Sequence, residues 1–161
     1  MALAACSKKE AAPADTNVAT TDVAAANTTD TTTAPAANPD AAAAPAADNV
    51  DTVSGAKLAA FTGDAARGAT VFITCKTCHA MEAGVNKIGP SLHGVVGRKS
   101  GSIAGFVYSA ANKGSGITWT PEKLFQYLEN PQRVVPGTTM SFVGLPEPQK
   151  RADVIAYLKT N

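Results

Sequence analysis

The residues with the most distinctive chemistry are two cysteines and a histidine spaced within about one helical turn: Cys75, Cys78 and His79. The chain has 161 residues and one further cysteine, Cys6, so the cysteines divide as one plus two and do not form a disulfide framework. A structural zinc site needs four ligands, and with His93 as the remaining histidine the set is poor, because His79 directly follows Cys78. A thioredoxin-type redox pair needs a preceding strand, whereas the residues before Cys75 favour a short helix.

The order Cys-x-x-Cys-His at residues 75–79 is the pattern of c-type haem attachment. Two thiols one helical turn apart can add to the two vinyl groups at one edge of a porphyrin. The next residue then places its imidazole over the iron. The motif predicts one covalently bound haem c, held by Cys75 and Cys78 with His79 on the metal. Such a macrocycle also fills the centre of a small domain whose loops cannot pack alone.

The second axial position of the iron decides between an electron carrier and a haem enzyme. The candidates are Met81, Met140, His93 and the lysines. Met81 lies too close in sequence to His79 to reach the opposite face of the ring, whereas Met140 lies in a turn-rich loop that can cross it. Met140 as ligand predicts a carrier and not an enzyme. The alternative is a peroxidase-like or ligand-sensing haem protein in which Met140 is displaced.

Helices must position these groups, and capping residues and prolines mark where the helices begin. Asp64 is a suitable N-cap for the helix that carries the two thiols, and Thr120 followed by Pro121 begins another. The glycine-rich middle of the domain predicts loops, and no strand pattern emerges, so the fold class is all-α with three to four helices. The predicted helices span residues 65–74, about 109–113, 121–130 and a last segment from Pro148.

The N-terminal third differs in composition and charge from the rest. Residues 7–56 contain no aromatic residue, Leu, Ile or Met but hold 17 Ala, 9 Thr and 4 Pro, so we expect a disordered linker. Residues 1–56 carry a net charge of −5 and residues 57–161 a net charge of +6, which together give the overall +1. The basic residues are scattered, so we expect no nucleic-acid partner.

The first six residues resemble the end of a bacterial lipoprotein signal, in which a leucine and two small residues precede a lipidated cysteine. Leu3 to Cys6 fit that pattern, but no charged or long apolar region precedes them, so this start as written cannot direct export. We expect one of two situations. Either a lipid on Cys6 makes residues 7–56 a tether to a bacterial membrane on its periplasmic side, or Cys6 is a free thiol in an Ala-rich tail.

Residues 63–161 resemble the class I cytochromes c of the mitochondrial and alphaproteobacterial type. The resemblance implies a cytochrome c fold, with helices and loops wrapped around the haem, in a monomeric electron carrier. It also implies quinol:cytochrome c reductase and cytochrome c oxidase as partners. The matching segments follow the family order across the domain and lie at residues 89–94, 97–99, 110–113, 116–119, 127–131, 136–140 and 151–158.

The resemblance further implies roles for individual residues. The carbonyl of Pro90 would accept the imidazole N–H, Tyr127 would donate to the methionine sulfur, and Asn112 would join an internal water network. Gly68 and Phe72 would pack where the first and last helices cross. The residues implied to hold the haem propionates are Arg98, Tyr108 and Trp119.

The mitochondrial members of this family dock through a ring of lysines at the haem edge, and this chain departs from that pattern. Only Lys87 and Arg133 keep a basic side chain there. Weak docking suffices if a tether supplies a high effective concentration, so we expect anchoring to replace electrostatic steering. The positions without a basic residue are Thr70, Thr74, Gln132, Thr139, Pro146 and Glu147.

Overall fold

The structure, a computed structural model, describes residues 43–161, and the regular structure in this range is helical. The predicted all-α class is confirmed, since β pairing in the described range is limited to one isolated bridge between Lys99 and Thr118. None of these helices is long and apolar enough to cross a bilayer. The helices are α1 (Ala65–Lys76), α2 (Ala110–Gly114), α3 (Pro121–Glu129), α4 (Pro131–Val134) and α5 (Pro148–Leu158), preceded by a 3₁₀ turn at Leu58–Ala60.

Helices α1 and α5 cross at close range and build one side of the domain. The Asp64 carboxylate accepts a backbone N–H of the first turn of α1 at 2.8 Å, as its sequence position predicts. Gly68 is buried at the crossing, and the close approach requires glycine because a methyl group there would collide with the backbone carbonyl of Asp153. Phe72 is fully buried, and its ring centroid lies 5.1 Å from that of Tyr157. The helix contact expected from the sequence is therefore formed.

A buried carboxylate ties the same two helices together. Asp153 on α5 accepts hydrogen bonds from the backbone N–H of Asp64 at 2.9 Å and from the Gln149 amide at 2.8 Å. The Arg67 guanidinium donates to both of its oxygens at 2.9 and 3.0 Å. The hydrogen bonds from Arg67 lower the pKa of Asp153 to about 2, against the desolvation that opposes ionisation.

Helix α3 begins where the sequence predicts, because the Thr120 hydroxyl accepts the backbone N–H of Lys123 at 3.1 Å and Pro121 occupies the first turn. Helix α4 was missed. Pro131 indicates the end of α3, but it also starts a new helical turn, capped by the side chain of Asn130. The Gln132 amide on α4 donates to the carbonyls of Thr138 and Met140 at 3.2 and 3.4 Å, so this helix contacts the loop that carries Met140.

The predicted boundary between linker and domain is wrong, because residues 46–56 belong to the folded unit. The Lys123 ammonium donates to the carbonyls of Ala46 and Asn49 at 3.1 and 2.9 Å. The Gln126 amide donates to the Asn49 side chain and to the Asp51 carbonyl, both at 2.9 Å. Many of these contacts are made by backbone carbonyls, which every residue type carries, so the amino-acid composition of residues 46–56 could not predict them. Residues 7–42 of the predicted linker and Cys6 lie outside the described residues.

Candidate functional site

The predicted chemical groups converge on one cavity of about 430 Å³. It lies between the end of α1, the loops after it, one face of α3 and the loop at residues 138–142. Its walls are largely apolar, and Leu124, Tyr127 and Leu128 supply the face of α3. The size and character are those of a site for a sizeable apolar ligand with a few placed polar groups.

The two thiols stand at the C-terminal end of α1 and line the cavity. The helix ends by tightening at this point, since the backbone N–H groups of Cys78 and His79 both reach the Cys75 carbonyl, at 3.1 and 2.9 Å. Both cysteines are free and partly buried. Burial and the neighbouring Cys78 raise the pKa of the Cys75 thiol. The pair is therefore positioned side by side on one wall of the cavity without being joined to each other.

The imidazole of His79 is fixed by the loop that follows it. Its Nδ1 lies 2.7 Å from the carbonyl oxygen of Pro90, so Nδ1 carries the proton and Nε2 is left free for a metal. Gly89 permits this approach, because a Cβ there would lie 2.7 Å from Nδ1. Burial lowers the pKa of His79, and the hydrogen bond to Pro90 opposes the shift. A neutral, oriented imidazole is the form that binds iron.

Met140, which is far from His79 in the sequence, lines the same cavity. The Tyr127 hydroxyl donates to its sulfur at 3.8 Å, and burial raises the pKa of that hydroxyl. Thr138 was not singled out by the sequence, yet its hydroxyl accepts from the Met140 backbone N–H at 3.3 Å and from the Asn112 amide at 3.2 Å. A threonine two residues before Met140 in a turn-rich loop is a recognisable turn signal that could have indicated this.

The other residues given roles by the resemblance also line this cavity. Arg98 donates to the carbonyls of His93 and Ser91 at 2.7 and 2.9 Å, which fixes its guanidinium at the wall. Burial lowers the pKa of Arg98. Tyr108 packs edge to face on Phe106, with ring centroids 4.8 Å apart. The lining set includes Arg98, Tyr108, Asn112 and Trp119, with Phe106, Ile88 and Phe142 as further apolar members that sequence reasoning did not select.

Two residues considered as ligands are placed elsewhere. Met81 packs against the apolar core and does not line the cavity. His93 is exposed on a loop. Within residues 43–161 no three His, Cys, Asp or Glu side chains gather into a metal site, which leaves zinc without a ligand set there.

The donor set fits a covalently held haem. An apolar cavity with two free thiols on one wall provides for a macrocycle with two attachment points. An oriented imidazole and a thioether, both facing the same space, provide for its iron. Fold and site together define a small helical haem protein of the c type.

Comparison with known proteins agrees with this class. The sequence model of the family Cytochrome c matches residues 65–161. Cytochrome c2 of Rhodopila globiformis is 58% identical over 99 residues, covering 61% of this chain and 93% of that protein. Cytochrome c of Arabidopsis thaliana is 54% identical over 99 residues, covering 60% of this chain and 88% of that protein. The solved structure of cytochrome cH from Methylobacterium extorquens aligns with a TM-score of 0.59 at 48% identity, covering 62% of this chain and 100% of that one.

The chain belongs to the cytochrome c family, whose members are electron-transfer proteins with covalently attached haem c. The expected fold, cofactor and general function are thereby confirmed. The family is one of electron carriers and is generally non-enzymatic.

Proposed function

We propose that Cys75 and Cys78 form the thioether bonds to the haem and that His79 and Met140 are the axial ligands of its iron. Two hydrogen bonds to these candidate ligands carry the proposal. The His79 Nδ1 donates to the Pro90 carbonyl, and the Tyr127 hydroxyl donates to the Met140 sulfur. Each contact orients a ligand toward the same cavity. When bound, the haem would supply a one-electron couple between ferric and ferrous iron, and with both His79 and Met140 on the metal no position would remain for oxygen or peroxide.

The polar residues of the cavity have a defined part in this scheme. Arg98, Tyr108 and Trp119 hold the propionates, and Asn112 joins a water network beside Thr138. Buried propionates need such charge-assisted partners, and Arg98 is already fixed by two carbonyls in a position to provide one. Because the Arg98 guanidinium is fixed by two backbone carbonyls, we expect it to move little on reduction.

Attachment and ligation are tested together on the full chain expressed with a haem-attachment system. We expect colour that survives acid–acetone extraction in the native chain and in Met140→Ala, but is lost from Cys75→Ala combined with Cys78→Ala. The ferric charge-transfer band that a thioether ligand produces is expected in the native chain and absent from Met140→Ala. Extractable haem in the native chain would contradict the covalent assignment, and an unchanged band in Met140→Ala would contradict the ligand assignment.

We propose that the protein carries electrons from quinol:cytochrome c reductase to a terminal oxidase on the periplasmic side of a bacterial membrane. A lipid on Cys6 would hold it there as a monomer. The sequence at Leu3 to Cys6 supports the anchor, and the family supports the partners by analogy.

The rim of the cavity supports docking that depends little on charge. Ile88, which lines the cavity, is 80% exposed, and Val143, beside the lining residue Phe142, is 89% exposed. Thr74 and Thr139 line the opening without a charge. The two retained cations are engaged locally, with the Lys87 ammonium on the Lys76 carbonyl and the Arg133 guanidinium on the Asp51 carbonyl.

Oxidation by membranes that contain the oxidase tests this arrangement. The full chain, exported behind a complete lipoprotein signal and acylated at Cys6, is compared with a Cys6→Ala variant exported behind a cleavable signal, which cannot be acylated, between about 20 and 200 mM salt. We expect the rate of Cys6→Ala to change by less than about threefold over this range, and the lipidated chain to be faster at every salt concentration because the tether raises its effective concentration. A tenfold or greater salt dependence of Cys6→Ala would contradict docking without electrostatic steering.

A further inference from the structure

Residues 46–54, here called the clasp, form an ordered segment that lies before the part of the chain matched by the family, residues 65–161. The clasp contacts α3 on a different face from the cavity. Lys123 and Gln126 meet the clasp, whereas Leu124, Tyr127 and Leu128 line the cavity. Any influence of the clasp on the haem site is therefore indirect.

The clasp accepts the hydrogen bonds that two buried polar side chains donate. Lys123 is only 1% exposed, and its ammonium donates to the Ala46 and Asn49 carbonyls of the clasp. Gln126 is fully buried, and its amide donates to the clasp as well. A buried cation without such partners is strongly unfavourable, so the clasp is part of the fold and not a loose overlay.

The far end of the clasp binds a carboxylate at the end of α3. Glu129 accepts from the backbone N–H groups of Val53 and Ser54 and from the Ser54 hydroxyl. Its side chain is 8% exposed, and one of its oxygens lies 3.3 Å from the guanidinium of the fully buried Arg151. Burial alone would raise the pKa of Glu129, but the bonds from the clasp and the charge of Arg151 lower it. The carboxylate is therefore held ionised between clasp and arginine.

Arg151 connects this carboxylate to the loop that carries Met140. Its Nη1 donates to the Leu145 and Pro146 carbonyls at 2.7 and 2.9 Å. The same loop packs closely against the end of α3, so that a Cβ at Gly144 would collide with the Glu129 carbonyl. A continuous path of hydrogen bonds and one ion pair thus runs from the clasp to the end of the Met140 loop.

We propose that the clasp, acting through Glu129 and Arg151, positions the loop at residues 140–146 and so keeps Met140 on the haem iron. This inference rests on the proposed role of Met140 as an axial ligand. Ser54, Glu129 and Arg151 are positioning residues in this account. In a buried polar network, loss of one member weakens the contacts of the others.

Competition by added imidazole for the Met140 position measures how firmly the loop is held. The probe is imidazole itself, titrated into the ferric haem-loaded full chain, with loss of the thioether charge-transfer band as readout. Glu129→Gln removes the carboxylate that forms the ion pair with Arg151, and Ser54→Ala removes only the clasp hydroxyl. We expect imidazole to bind about tenfold more tightly to Glu129→Gln and a few-fold more tightly to Ser54→Ala.

Two controls separate positioning from general destabilisation. Ser102→Ala also removes one loop hydroxyl, which donates to the Lys99 carbonyl at 2.7 Å, and lies outside the network. Asp153→Asn lowers overall stability at the crossing of α1 and α5 without touching the clasp. Both are expected to bind imidazole within about twofold of the native chain, although Asp153→Asn unfolds at lower denaturant.

The outcomes are distinguishable. Native affinity in both Ser54→Ala and Glu129→Gln, or an equal increase in Asp153→Asn, would overturn the role of the clasp. Ser54→Ala keeps the ion pair and therefore folds even if Glu129→Gln does not. A native chain that lacks the thioether band would instead overturn the assignment of Met140, and the role of the clasp with it.

Discussion

Replacing Gly68 by alanine tests the crossing of α1 and α5, which holds the thiol-bearing helix in place. In an ideal helix the change adds about 1 kcal/mol of stability, because glycine is the poorer helix former. Here the new methyl would collide with the Asp153 carbonyl and lie 2.8 Å from the Tyr157 Cβ. The first obstacle is backbone and cannot rotate away. Overpacking of this kind costs about 1–3 kcal/mol. Because the obstacle here is backbone, we expect an overpacking cost of about 3 kcal/mol or more, from which the gain in helix propensity is subtracted.

The expected net result is a loss of about 2 kcal/mol in the free energy of unfolding, or roughly 10 °C in the melting temperature. Gly114 provides a matched control, since it is also helical and no atom lies within 4 Å of the position of its added Cβ. Gly114→Ala is therefore expected to be neutral or slightly stabilising. Urea unfolding of the haem-loaded chain, followed by far-ultraviolet circular dichroism, measures both. A Gly68→Ala variant as stable as the native chain would refute the packing argument.

Three further predictions concern buried polar groups and the histidine. Because the pKa of Asp153 is lowered to about 2, its stabilisation is full at neutral pH and is lost as the pH falls from about 4 toward 2. Asp153→Asn should therefore lose about 1 kcal/mol at pH 7, after allowance for its largely exposed arginine partner, and show a flatter stability profile between those pH values; equal slopes would contradict this. Lys123→Met leaves two carbonyls unpaired and should cost about 1–2 kcal/mol in urea unfolding, whereas the exposed control Lys113→Met should stay within about 0.5 kcal/mol. Gly89→Ala should displace the imidazole of His79 and shift the haem absorption spectrum, and an unchanged spectrum would show that the contact is not restrictive.

The sequence predicts the chemical centre of this protein better than its edges. A Cys-x-x-Cys-His motif has few physical uses, and N-cap residues and prolines mark α1, α3 and α5 directly. Each of these signals is local. The order of segments shared with the family then predicts Met140 as the second ligand of the iron and Tyr127 as the donor to its sulfur.

What the sequence does not predict depends on contacts between distant backbone groups. The clasp has the composition of a disordered segment, and it is ordered because its carbonyls and N–H groups meet Lys123, Gln126 and Glu129, about 75 residues away. Helix α4 was missed because one proline both ends a helix and starts the next. Neither feature leaves a periodic pattern in the side chains.

Closure of the iron by two protein ligands is the central claim, and carbon monoxide tests it most directly. The full haem-loaded chain is reduced at neutral pH, exposed to carbon monoxide and followed by its absorption spectrum. With His79 and Met140 on the iron, we predict no carbon monoxide complex in the native chain and prompt binding in Met140→Ala. Prompt binding by the native chain would show an open iron site and contradict the account of this protein as a closed electron carrier.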